Sequence, residues 1–346
     1  MRGDTCTYQE NLCCTIAYPT FNCRYMHNPT FSRPQLFHRI MARLMFGAAS
    51  NSSCRAELSG DVLATCSSAQ QPASSCRSGE KSVTDWLMHS MDFHSLYEST
   101  RYAMVSKTWK RAVDNWRSQI KRIDYFNCSA VNDAMLNVVA KSCPGLKTLD
   151  LGSCPNHPAY QPRSVKVTAA ALEAVAKGCR RLENINLSAG FQIFNDKNMD
   201  DQVLPFVKYC SQLSFLDLSE CRIGDRVLRA LAIKSRLLKH LDLNGCGKEI
   251  TNAGILMVAG ACRKLKFLNI SDSNCSALAL QAGFPELRHL DVSSCFMERK
   301  DVLTAVMRGC PKLEQLKGDH EEVDADTEAT MESLRRKMPQ LQLTWV

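Results

Sequence analysis

The 346 residues carry 43 Lys and Arg against 35 Asp and Glu, a formal net charge of +8, and include 18 cysteines. The basic excess is spread along the chain, so nothing resembles the concentrated stripe of a nucleic-acid binder. No apolar run of eighteen or more residues predicts a membrane span.

Residues 1–80 are rich in Ser and Cys and show no sustained period, so a low-complexity, disordered N-terminal segment is expected. Arg24, Arg33, Arg39, Arg43 and Arg55 occur there without an acidic residue between positions 11 and 56. An organellar transit peptide shares that pattern, although Asp4 and Glu10 in the opening stretch are unlike such a start.

Residues 81–116 are expected to be helical. Tyr102, Val105, Trp109, Val113 and Trp116 recur at steps of 3, 4, 4 and 3, which gives one apolar face. Before them Trp86, Leu87, Met88, Met91 and Phe93 form a shorter apolar cluster. By chemistry alone this region is an N-terminal cap for whatever follows.

From Arg117 onward the pattern C-x-x-L-x-x-L-x-L-x-x-C repeats. Its clearest copies run from Cys143 to Cys154 and from Cys210 to Cys221, with looser ones starting at Arg117, Cys179, Ser235, Cys262, Phe284 and Cys310. The closing positions Cys128, Cys154, Gly190, Cys221, Cys246, Ser273 and Cys295 lie 26, 36, 31, 25, 27 and 22 residues apart, which centres on the leucine-rich-repeat period. L-x-L alternation, as at Leu149 and Leu151, predicts a short strand in each unit. Helical spacing follows, as at Leu172, Val175 and Ala176, with Thr168 placed to cap. One strand and one helix cannot bury their apolar faces alone, so the expected architecture is an α/β leucine-rich-repeat solenoid, a horseshoe of about eight repeats over residues 117–346. Met331–Lys337 should be a last helix, Leu341, Leu343 and Trp345 a terminal strand, and the acidic Asp319–Glu328 a solvated loop.

The repeat cysteines occupy two slots, one after the strand and one ending the helix. Gly190 and Ser273 replace cysteine in the first slot, and Ser235 and Phe284 in the second, a tolerance that fits packing rather than disulfides or metal ligation. No CxxC pair or Cys/His knuckle is present, so no metal or other cofactor is expected. Free thiols point to a reducing compartment, cytoplasm or nucleus, with organellar import the alternative raised by the arginines near the start.

The stretch MDFHSLYESTRYAMVSKTWKRAVDNW, residues 91–116, resembles the second half of an F-box running into a first repeat. Val105, Ser106, Lys107 and Trp109 match that motif's V-S/C-K-x-W core. The repeats are similar to the cysteine-containing subtype of F-box/leucine-rich-repeat proteins, in their L-D-L-S-x-C strands and in helix starts such as Val131-Asn-Asp133, Ile223-Gly-Asp225 and Ile250-Thr-Asn252. Ser82–Ser90 is short and holds no proline, unlike the family's usual opening, so the F-box-like segment is degenerate. The resemblance implies a non-catalytic substrate-recognition subunit of a cullin-type ubiquitin ligase. Met91, Phe93, Leu96, Met104, Val105 and Trp109 would contact an Skp-type adaptor joined to the cullin scaffold. The alternative is an interaction scaffold or organellar assembly factor outside ubiquitin chemistry.

In each strand the residues on either side of the buried leucine should face the concave surface. One column would read Thr148, Asn184, Phe215, His240, Phe267 and His289. The other would read Asp150, Asn186, Asp217, Asp242, Asn269 and Asp291. Phe215, His240, Phe267, His289, Asp217 and Asp242 are therefore candidate target-binding residues, with an extended or basic peptide as the fitting partner. The long repeat steps predict insertions at Pro155–Ser164 and Gly190–Asp201. The second offers Phe191 and Phe194 as further contacts. No catalytic constellation is recognisable, and no residue names the target.

Overall fold

The computed structural model divides the chain into two units, residues 1–76 and 77–346. The structure describes residues 100, 103–104, 107–126, 131–153, 167–189, 199–295, 297–320 and 324–345, all in the second unit. The expectations for residues 1–80, the Trp86–Phe93 cluster and most of both insertions lie outside the described residues.

The described chain alternates helix and strand. After α1 (Lys107–Gln119) come β1 (Arg122–Asp124), α2 (Asp133–Ser142), β2 (Thr148–Asp150), α3 (Ala169–Gly178), β3 (Asn184–Asn186) and α4 (Asp200–Tyr209). These are followed by β4 (Phe215–Asp217), α5 (Asp225–Lys234), β5 (His240–Asp242), α6 (Asn252–Ala261) and β6 (Phe267–Asn269). A short 3-10 turn (Ala277–Leu280), β7 (His289–Asp291), α7 (Arg299–Gly309), β8 (Gln315–Gly318), α8 (Ala325–Lys337) and β9 (Gln342–Trp345) complete the unit.

The nine strands form one parallel sheet in sequence order. Pairing never slips. Ile123, Leu149, Ile185, Leu216, Leu241, Leu268, Leu290, Leu316 and Leu343 stand side by side as the middle column. From Leu149 to Leu316 this column is buried, together with Leu151, Leu187, Leu218, Leu243 and Ile270, which follow the strands. Burying one such side chain stabilises by about 2 kcal/mol, and a one-residue slip would expose the whole column, so the leucines set the register. The helices pack on one side of the sheet, each against its neighbours in sequence. The expected solenoid is the observed fold.

The helix starts explain why Asp or Asn recurs there. Asp133 accepts hydrogen bonds from the backbone N–H and hydroxyl of Thr168, both at 2.8 Å. Asp225 does the same for Thr251 at 3.0 and 2.6 Å. Asn252 accepts from the Ser276 N–H at 2.8 Å and donates to its hydroxyl at 2.9 Å. Each residue therefore ties its own helix to the start of the next. Thr168 caps as expected, accepting from the Ala171 N–H at 3.3 Å.

The cysteine slots form two ladders of buried free thiols. After the strands, Cys221, Cys246 and Cys295 donate to Leu187, Leu218 and Ile270 carbonyls of the preceding repeat at 3.0, 3.1 and 3.0 Å. At the helix ends, Cys179 reaches the Cys143 carbonyl at 3.3 Å and Cys262 the Ser235 carbonyl at 3.6 Å. A helix C-terminus leaves carbonyls without intrahelical donors, and the weak S–H of the next repeat supplies one. Burial pushes the Cys143, Cys179 and Cys210 thiols up to about 12, so they are unreactive packing groups.

Two expectations need correction. The last helix begins at Ala325, and Asp324 caps it by accepting from the Thr327 N–H at 2.7 Å, so part of the acidic Asp319–Glu328 stretch is helix rather than loop. Asp326 and Glu328 sit in its first turn, where carboxylates complement the helix dipole. The shortest repeat, the 22-residue step ending at Cys295, has room only for the 3-10 turn in place of a helix.

Candidate protein-binding face

The residues flanking the leucine column are only partly buried, and they form the two expected columns on the sheet face away from the helices. The first runs Arg122, Thr148, Asn184, Phe215, His240, Phe267, His289, Gln315 and Gln342. Exact register places aromatic rings of successive strands over one another. Phe215 and His240 stack with centroids 4.1 Å apart and planes 12° from parallel, and His240 and Phe267 at 4.0 Å and 10°. Phe267 and His289 are tilted at 6.3 Å, and the His289 Nδ1 lies 3.0 Å from Gln315 Oε1. Burial, with a smaller push from His289, drives the His240 pKa down to about 3, so its imidazole is neutral and acts as a third aromatic ring.

The other column runs Asp124, Asp150, Asn186, Asp217, Asp242, Asn269, Asp291, Lys317 and Thr344. Its first duty is structural. The Oδ1 of Asp150, Asn186, Asp217, Asp242, Asn269 and Asp291 each accepts from the backbone N–H two residues on, at 2.9 to 3.0 Å, and so closes the turn that ends the strand. Asn serves as well as Asp because only the carbonyl-like oxygen is needed. The charge itself is costly in this setting. Burial raises the pKa of Asp150 to about 7 and pushes those of Asp217 and Asp242 upward, with neighbouring carboxylates adding to the effect on Asp150 and Asp242. Near the end of the column Lys317 neutralises Asp291 at 3.1 Å.

A third column escaped the sequence reading. Three residues past the strands, Ala189, Glu220, Gly245, Asp272 and Ser294 all adopt left-handed backbone, with φ of 54, 57, 66, 57 and 57°. The conformation turns N–H groups toward the next repeat. Ala189, Glu220, Gly245 and Asp272 donate to the carbonyls of Ser219, Asn244, Ser271 and Ser293 at 2.7, 2.6, 3.0 and 2.9 Å. Those bonds offset the roughly 1 kcal/mol that a non-glycine residue incurs there. Gly245 alone in this column has no side chain. It lies on a cavity of about 330 Å³ lined by Glu220, Arg222, Asn244, Gly245 and Asp272, with the Glu220 Cγ 3.3 Å from where a Gly245 Cβ would sit. The sequence signal was the variable residue in S-E-C, N-G-C, S-D-S and S-S-C, which reads as turn filler until the backbone is seen.

The residues just before the strands include the exposed Lys239, Lys266 and Arg288 together with Glu183 and Glu314, which pair with Lys147 and Arg288. Among the described residues no group of three or more His, Cys, Asp or Glu could hold a metal ion, and no helix is long and apolar enough to cross a membrane.

Of the candidate adaptor contacts, Met104 is 83% exposed. Trp109 is half-buried and packs with Ala112 and Val113, so at least part of its surface is committed to α1's own packing. Met91, Phe93, Leu96 and Val105 lie outside the described residues, as do Phe191 and Phe194 of the second insertion.

The family model described as "Leucine Rich repeat" matches residues 209–232 and 234–259, a region that includes Phe215 and His240 of the ring stack. F-box/LRR-repeat protein 4 of Bos taurus is 28% identical over 156 residues, covering 44% of this chain and 22% of that protein. Antagonist of mitotic exit network protein 1 of Candida glabrata is 23% identical over 65% of this chain and 40% of its own length. F-box protein FBX14 of Arabidopsis thaliana is 24% identical over 51% and 32%. The chain thus spans less than half the length of each of these relatives. Among solved structures, internalin C2 of Listeria monocytogenes aligns with a TM-score of 0.43 at 18% identity, over 73% of this chain and 93% of that one. By its repeats and sheet register the chain is a leucine-rich-repeat solenoid, and its sequence is similar to proteins named for an F-box and leucine-rich repeats.

Proposed function

We propose that the protein is the substrate-recognition subunit of an SCF-type ubiquitin ligase, holding a target protein on the concave face while the segment around residues 81–116 docks on an Skp-type adaptor. The likeness to proteins named for an F-box and leucine-rich repeats supports a binding scaffold rather than a catalyst. The observation that carries the adaptor half is Met104. It is a large apolar side chain, 83% exposed beside the V-S-K-x-W motif, where an adaptor helix would cover it.

The mechanism is proximity. The receptor contributes no reacting group and raises the local concentration of a target lysine near a ubiquitin-charged enzyme brought by the cullin. Phe215, His240 and Phe267 would act as anchors, because a pre-stacked ring surface loses little side-chain freedom when a partner covers it. The second reading, a scaffold or organellar assembly factor, draws on the arginine-rich, acid-free stretch between positions 11 and 56. Recovery of an Skp-type adaptor with the full chain, and its loss on Met104→Asp, tests the first reading directly.

A further inference from the structure

Three independent features coincide at β4 to β6. The ring stack of Phe215, His240 and Phe267 lies on these strands. The carboxylates of Asp217 and Asp242 lie on the same strands, on the far side of the leucine column from the rings, and are disfavoured as charges by their burial. The cavity over Gly245 opens just beyond the strand ends, walled by Glu220 and Asp272. The chain as a whole is basic, yet Asp217 and Asp242 lie on these strands and the cavity lining sets Glu220 and Asp272 against Arg222.

We infer that this part of the concave face takes an extended segment bearing Lys or Arg, with one cationic side chain in the cavity beside Gly245 and an apolar side chain further along the segment lying on the ring stack. The inference rests on the reading that the concave face receives the target, and it supplies the target's chemistry. A long aliphatic stem ending in a charge suits a recess that Gly245 and Asn244 line together with the two carboxylates Glu220 and Asp272 and the one cation Arg222. Buried carboxylates without a cation are a cost that such a partner relieves, so charge complementarity and desolvation favour the same occupant. The rings sit at the first position of each strand and Gly245 three residues past the end of β5, so the segment runs along the strands from the ring stack to the cavity.

An array of ten-residue peptides spanning net charges from −4 to +4, probed with the full chain, tests this. Bound peptides should be enriched in Lys and Arg. Gly245→Asn puts into the cavity a residue that tolerates left-handed backbone, with the Glu220 side chain, 3.3 Å from the added Cβ, shifting slightly to admit it, and Asp242→Asn keeps the turn-closing oxygen, as Asn186 and Asn269 do. Each should weaken the retained peptides about tenfold while the thermal midpoint holds, and His240→Ala should weaken them too. If bound peptides show no charge preference, or ignore both Gly245→Asn and Asp242→Asn while losing affinity on His240→Ala, the cationic occupant is wrong and the concave face stands. If no peptide binds, or none responds to any of the three variants, the target-binding face itself is wrong.

Discussion

The imidazole of His240 lies flat against the ring of Phe267, centroids 4.0 Å apart and planes 10° from parallel. A ring held there is neutral, because its pKa is depressed to about 3 by burial and by the like charge of His289. A histidine whose folded pKa falls below its unfolded value of about 6.5 leaves the unfolded state binding more protons between those values, so stability is lost as pH falls through that window. His240→Phe removes the titration and keeps the stack. It should gain about 1 to 2 kcal/mol over the natural chain at pH 4.5 and little at pH 8, measured by urea unfolding, with partial exposure holding the gain below the nominal shift. Equal gains at both pH values would show that His240 is not held neutral.

The acid column should respond in the opposite sense. Asp150 has its pKa raised to about 7, chiefly by burial, with Asp124 and Asp217 opposing its ionisation and the Gly152 N–H and Asn186 favouring it. The folded state then binds the extra proton, and stability falls as pH rises from about 4 to about 7. Asp150→Asn retains the Oδ1 that closes the turn at Gly152. The variant should match the natural chain at pH 4 and exceed it by about 1 to 2 kcal/mol at pH 8, again after allowance for solvent screening. A loss of stability at pH 8 would mean that the charge, rather than the turn-closing oxygen, is what the column provides.

Ser235 stands in the helix-end slot that cysteine fills in neighbouring repeats, is 1% exposed, and its hydroxyl finds no hydrogen-bond partner among the described residues. A buried hydroxyl left unsatisfied costs about 1 to 3 kcal/mol, whereas a thiol is tolerated as a small apolar group. Ser235→Cys should therefore raise stability by about 1 kcal/mol in denaturant unfolding. A drop of similar size would show that the hydroxyl is satisfied and that the slot is not interchangeable.

The sequence made the fold legible because one period governed every level. The same leucines that mark the repeat set the strand register, and Thr148 to His289 emerged in the expected column. What the period hides is the dual role of a residue inside it. Asp217 and Asp242 read as free acids in a ladder, yet each spends one oxygen on the backbone two residues away. The left-handed column was missed for a related reason. Ala189, Glu220, Gly245, Asp272 and Ser294 share a backbone conformation and no side-chain chemistry, so no alphabet pattern marks them. Asp324 was read as loop because acid content suggests solvation, when its position before a helix made it a cap.

The central claim is that the segment preceding the repeats docks on an Skp-type adaptor. Purified adaptor, titrated against the immobilised full chain and against Met104→Asp, tests it most directly, because Met104 is exposed and its substitution leaves the packing of Trp109 on Ala112 and Val113 untouched. The account predicts saturable binding by the natural chain, weakened at least tenfold by the variant, with unchanged thermal midpoints. No measurable binding by a folded natural chain, or equal binding by both forms, would contradict it.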